Sequence, residues 1–205
     1  MFKLKRASSV AVAALATFTT LSFTSSALAA ETYVGAALSA YTSSSLPCPV
    51  NASCERSGAT SGKIYTGYMF DALPYNGFNI THGIEAMGYQ IGTTKTAYGY
   101  KNGHIPGYAE TAGVGLLYKL EVSFNNDFSV ISRLGTSYAH SSIQYSDGDV
   151  NANTSWFGPV VGLGAKYALT KNLSLVADWD RLPVKYNGGP KAANNMFSIG
   201  VSYQF

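Results

Sequence analysis

The feature that most restricts how this chain can fold is the period-two alternation of its closing stretch, Asn195 to Phe205. Phe197, Ile199, Val201, Tyr203 and Phe205 fall on one parity, and Met196, Ser198, Gly200, Ser202 and Gln204 on the other. Successive side chains of an extended strand point to opposite faces, so this strand is apolar on one face and small or polar on the other. A soluble sandwich would bury the apolar face. Here the same split recurs in upstream segments and the stretch closes on an aromatic residue, which directs the apolar faces to lipid and the polar faces to a narrow lumen.

Composition supports that direction. Charged residues make up 12 % of the sequence, against about 25 % in soluble domains. Past the N-terminus no apolar run is long enough for a spanning helix. Only helices and closed barrels satisfy every backbone polar group in lipid. The expected fold is therefore all-β: an eight-stranded antiparallel up-and-down transmembrane β-barrel.

The first residues are set apart. Lys3, Lys5 and Arg6 precede a mostly apolar or small run, Val10 to Leu28, and Ala27-Leu28-Ala29 supplies a small-x-small cleavage pattern. Residues 1–29 read as a signal peptide and 30–205 as the barrel domain. Thr17, Thr19, Thr20, Ser22, Thr24, Ser25 and Ser26 dilute the run too far for an anchor. Cleavage removes three of the 14 Lys+Arg, leaving 11 basic against 11 acidic groups. With no basic stripe, nucleic acid is not an expected partner.

Eight strands can be drawn. They run near 32–41, 63–71, 80–92, 113–124, 128–139, 156–169, 173–182 and 195–205. Connections after the first, third, fifth and seventh are long, and those between are shorter. That asymmetry fits surface loops alternating with periplasmic turns. In the third strand Ile84 faces lipid and Glu85 the lumen, which puts Met87, Tyr89 and Ile91 out of phase, so a β-bulge is expected near Ala86. Alternation assigns Glu85, Lys119, Glu121, Arg133, Lys166, Asp178 and Asp180 to the lumen. Charges confined there must find partners, so a luminal ion-pair network is expected.

Other patterns are weaker. Cys48 and Cys54 form a C-x5-C ring in a secreted chain, which reads as a loop disulfide rather than a zinc site. Asp147, Asp149 and Asn151 imitate a calcium loop, but Ala152 and Gly158 replace its turn glycine and closing glutamate. His140 and Ser142 have the spacing of a lipid A deacylase pair without a matching context. The Gly113-x-Gly115 and Gly162-x-Gly164 pairs are not dinucleotide fingerprints; they leave room inside a narrow barrel. Tyr33, Tyr41, Tyr138, Trp156, Trp179, Tyr203 and Phe205 fit interfacial girdles. No catalytic residue, metal ligand or cofactor is expected.

The segments Leu120 to Phe128, Ser132-Arg133-Leu134-Gly135, Gly162 to Thr170 and Ser198 to Phe205 resemble the N-terminal transmembrane domain of the OmpA family. A weaker resemblance extends to Tyr33-Val34-Gly35-Ala36 and to Glu85 with Met87-Gly88-Tyr89. It implies eight antiparallel strands, a largely filled lumen, and insertion by the outer-membrane assembly machinery through the aromatic C-terminal signal, Tyr203 and Phe205. Glu85 and Lys119 stand where the family has an acid and a base, but Lys166 replaces an acid and Val176 an arginine. The family's cell-wall-binding domain has no counterpart here, so no cell-wall tether is expected. The expected role is a non-enzymatic outer-membrane barrel, a monomer, serving envelope integrity and surface interaction through four loops. Expected partners are outer-membrane lipid and lipopolysaccharide, with host or phage ligands at the loops. A narrow low-conductance pore is the alternative, and a lipid A-modifying enzyme a more distant one.

Overall fold

A computed structural model describes residues 31–44, 60–70, 72–75, 77–100, 103–125, 127–145, 151–185 and 191–205. The expected signal peptide, the expected Cys48–Cys54 disulfide and the Asp147–Asp149 segment lie outside the described residues.

Among the described residues nine strands run in chain order: β1 (Glu31–Ser44), β2 (Ser61–Met69), β3 (Leu73–Tyr75), β4 (Phe78–Tyr100), β5 (Gly103–Ser123), β6 (Phe128–Tyr145), β7 (Asn151–Ala168), β8 (Leu173–Lys185) and β9 (Lys191–Gln204). Each long strand pairs antiparallel with its neighbours, β1 meets β9, and β2 meets β4 across the short β3. The sheet is therefore closed, an eight-strand barrel with β3 as a hairpin extension of β2. Closure leaves no edge in lipid, which is what an apolar surround demands.

The alternating rows face as the sequence predicts. Leu38, Val114, Leu116, Leu134, Phe157, Leu163, Phe197, Ile199 and Val201 are exposed on the outer wall, while Ser198, Lys63, Glu85 and Arg133 are buried within it. At one end the hairpins are tight. The Asn125 side-chain oxygen accepts from the Asp127 and Phe128 amides at 2.9 and 2.7 Å. The Thr170 hydroxyl accepts from the Asn172 and Leu173 amides at 3.3 and 3.0 Å. Such side-chain turns end strands abruptly. Gly77, at φ 84°, closes the β3–β4 hairpin in the left-handed region glycine favours.

Three expectations are corrected. The ladder from Asn79 to Ile91 runs without a bulge at Ala86, and Met87, Tyr89 and Ile91 point inward with Glu85. The inside of a small barrel is a packed core, so an apolar inward row needs no shift of register. Bulges fall instead between Ile91 and Thr94 and between Leu38 and Tyr41. The second carries Tyr41 to the outside, although it shares the parity of Tyr33. Tyr33 itself is not a girdle residue, because it lies inside the barrel. Finally, the stretches expected as long loops begin as strand. Thr94 to Tyr100 pairs with Ala109 to Gly103, and Pro183 to Lys185 pairs with Ala193 to Lys191.

One seam interrupts the wall. The β7–β8 ladder ends at Val161 and Arg181, although both strands continue. Two positions further, Pro159 and Pro183 would face each other in register, and neither has an N–H to give. Leu182, Pro183 and Val184 are buried in succession, and the Pro183 ring lies where a Cβ on the inward-facing Gly158 would meet it at 2.8 Å. The end of β8 thus leans into the mouth of the lumen.

Candidate functional site

The lumen holds the chemistry, and glycines make the room for it. Tyr33 pairs with Gly67 and Gly35 with Tyr65 across β1 and β2, so each ring lies over the opposite glycine. A Cβ at Gly162 would stand 2.5 Å from an Asp180 oxygen, and one at Gly164 would overlap the Asp178 carboxylate. The small inward residues are niches for large side chains on neighbouring strands.

Two charged clusters fill the middle and the tight-turn end. In the first, the Arg133 guanidinium is ion-paired with Glu85, its Nε 2.9 Å from a carboxylate oxygen, and donates through Nη1 to Asp178 at 2.7 Å. Lys63 bridges Asp178 at 2.8 Å and Asp180 at 2.5 Å. In the second, Glu121 is held between Lys119, at 3.2 Å, and Lys166. Tyr33 joins the two: its hydroxyl donates to Glu85 at 2.8 Å, and Lys119 sits 4.0 Å from its ring centroid. Lys63 and Arg133 also flank the Tyr65 ring, at 5.5 and 5.7 Å.

All seven sequence-assigned charges therefore meet inside. Lys63 was missed because it opened its strand as drawn, although it shares the parity of Tyr65, Gly67 and Met69. With it the clusters hold four carboxylates against four cations. A neutral set of interlocked pairs suits a confined space, since each buried charge has a partner within reach. Lys166 is the most open member, 19 % exposed, beside a small cleft at the tight-turn end that Glu31, Thr81, Ser174 and Gln204 also line. Toward the opposite mouth the charges give way to a mixed layer: Ile91, Leu117, Ala139, Val160, Leu182 and Met196 are almost fully buried beside hydroxyl pairs, Thr42 with Ser61 at 2.7 Å and Thr111 with Ser141 at 3.0 Å.

The remaining sequence candidates do not assemble. His140 Nδ1 meets the Ser155 hydroxyl at 3.1 Å on the exposed face, across the β6–β7 pair. Among the described residues no group of three His, Cys, Asp or Glu is placed to hold a metal ion. Trp156 lies on the inward row with the Lys185 ammonium 5.0 Å over its ring, while Tyr138 and Tyr203 stay outside. Phe205 closes the wall, its amide donating to the Thr32 carbonyl at 3.0 Å.

Comparison with known proteins agrees with this architecture. A family model described as outer membrane protein beta-barrel domain matches residues 10–205. Outer membrane protein A of Serratia marcescens is 30 % identical over 118 residues, covering 52 % of this chain and 32 % of that protein. The chain matches about a third of that relative's length. Neisserial surface protein A superposes with a TM-score of 0.57 at 17 % identity, covering 85 % of this chain and 97 % of the other. Ail of Yersinia pestis, the attachment invasion locus protein, gives 0.55 at 11 % identity over 85 % and 98 %. These two likenesses are likenesses of fold.

Proposed function

Since this chain belongs to the outer membrane protein beta-barrel domain family, we propose that it serves as a closed, non-enzymatic surface barrel. Its body braces the outer membrane and its mouth-side hairpins engage ligands. One observation supports the reading: among the described residues the lumen is packed with side chains, neutral ion-pair clusters lying below a mixed layer of apolar and hydroxyl groups and the end of β8 leaning over the mouth. An interior so packed with side chains and paired charges argues against a wide aqueous path.

What the chain offers to partners is its outside. The tight turns point to the periplasm and the extended hairpins to the cell surface, the usual asymmetry of these barrels. The β4–β5 ladder continues from Thr94 to Tyr100 beyond the bulge at Ile91, a raised hairpin for host or phage ligands among lipopolysaccharide. Ail has been solved with the heparin analogue sucrose octasulfate, which makes sulfated saccharides the first ligand class to test. Tyr203 and Phe205 serve as the assembly signal, the barrel acts as a monomer, and residues 1–29 are removed on export.

The test removes residues 93–107 and joins the shortened strands by a two-residue turn. The account expects cell-surface binding of sulfated saccharide or host matrix to fall while the barrel still folds. Binding that survives loss of this and the other mouth-side hairpins overturns the interaction role. Planar-bilayer recordings should show no large, stable open-channel current from pure protein; such currents would favour the narrow pore instead.

A further inference from the structure

His82 is an outward residue that does not suit a lipid-facing wall. His82 follows Ile80 and precedes Ile84 on the outer row of β4, close to the tight-turn end, where the Phe70 amide donates to its carbonyl at 2.8 Å. Its ring lies between Phe70, at 5.0 Å and 41°, and Tyr118, at 5.8 Å and 34°, with Tyr68 edge-on to Phe70 at 5.4 Å. Aromatic contacts on both sides fix the plane of the imidazole. Nδ1 is buried without a hydrogen-bond partner, and no group among the described residues bonds Nε2. With Nδ1 enclosed by the protein, only the Nε2 edge of the ring can take a partner, and that partner must come from outside the wall.

We propose that His82, with Phe70 and Tyr118, binds the headgroup of one phospholipid in the leaflet at the tight-turn end. A buried lone pair is tolerated better than a buried orphan N–H, so the proton sits on Nε2, which donates to a phosphate oxygen. The acyl chains run from there toward the bilayer centre along Ile84 and Leu116 of the same wall, continuous with the apolar belt. The occupant is a lipid because the residues around the ring are apolar and carry no charge that could hold a free anion. Assigning that leaflet to the periplasmic side rests on the orientation given above; binding itself does not.

The experiment is native mass spectrometry of the folded protein in mild detergent, titrated with phosphatidylethanolamine, phosphatidylglycerol or inorganic phosphate. His82→Phe keeps the ring stack and removes the donor; His82→Gln restores an N–H near the Nε2 position. We expect one retained phospholipid on the native protein, about tenfold weaker retention for His82→Phe, and partial recovery for His82→Gln. Equal retention by native protein and His82→Phe overturns the proposal, as does competition by inorganic phosphate alone. A heat-induced gel shift shows that each variant is folded, and its outcome is independent of lipid binding. Absence of a lipid adduct on the native protein, with saccharide binding intact, would remove this inference and leave the surface role standing.

Discussion

At the scale of single residues, the luminal clusters rank their own members. Asp178 takes Arg133 on one oxygen and Lys63 on the other, whereas Asp180 takes Lys63 alone. Asp178→Asn should therefore cost more stability than Asp180→Asn in urea titrations of vesicle-inserted protein. Arg133→Met, which strips Glu85 and Asp178 of a shared cation, should cost about 3–5 kcal/mol. Equal costs for the two aspartates would mean that the pairing is not as drawn. Gly164→Val should destabilise by about 1–3 kcal/mol through overpacking against Asp178. These positions were legible in the sequence as a row but not as pairs. Alternation fixes only the face, whereas the pairs depend on how strands β2, β6 and β8 are brought around the circle. Tyr33 shows the same limit: an aromatic near a strand end looks like a girdle residue until its parity is set against Gly35 and Ala37.

At the scale of the strands, register was easiest to read where one face is uniformly greasy, as in β5 and β9. It was hardest where both faces are apolar, as in Glu85 to Ile91, because a second apolar row mimics a slipped register. The strand ends were also hidden, since polar hairpins extending past the membrane lose the alternating signal while keeping the ladder. The β7–β8 seam has a cause visible in sequence, Pro159 and Pro183, but only the register shows them to be opposite. Amide exchange should report it. Along β7 one parity of amides loses protection on the mouth side of Val161, where the ladder to β8 has ended, and the other keeps it through β6. Uniform protection along β7 would contradict the seam.

For the molecule as a whole, everything depends on a wall that is apolar outside and charged or packed inside. That division was largely present in the sequence, because the bilayer and the narrow lumen impose opposite demands on alternate residues. The ligand of the mouth-side hairpins was not, since recognition there depends on loop shape rather than periodicity. The most direct test is nitroxide scanning of β9 in lipid vesicles, one cysteine at a time from Phe197 to Tyr203, with the two native cysteines replaced. Labels at Phe197, Ile199, Val201 and Tyr203 should be relaxed by membrane-dissolved oxygen, and those at Ser198, Gly200 and Ser202 should be shielded and immobile. Oxygen access without a period of two, or with the two rows exchanged, would contradict the account.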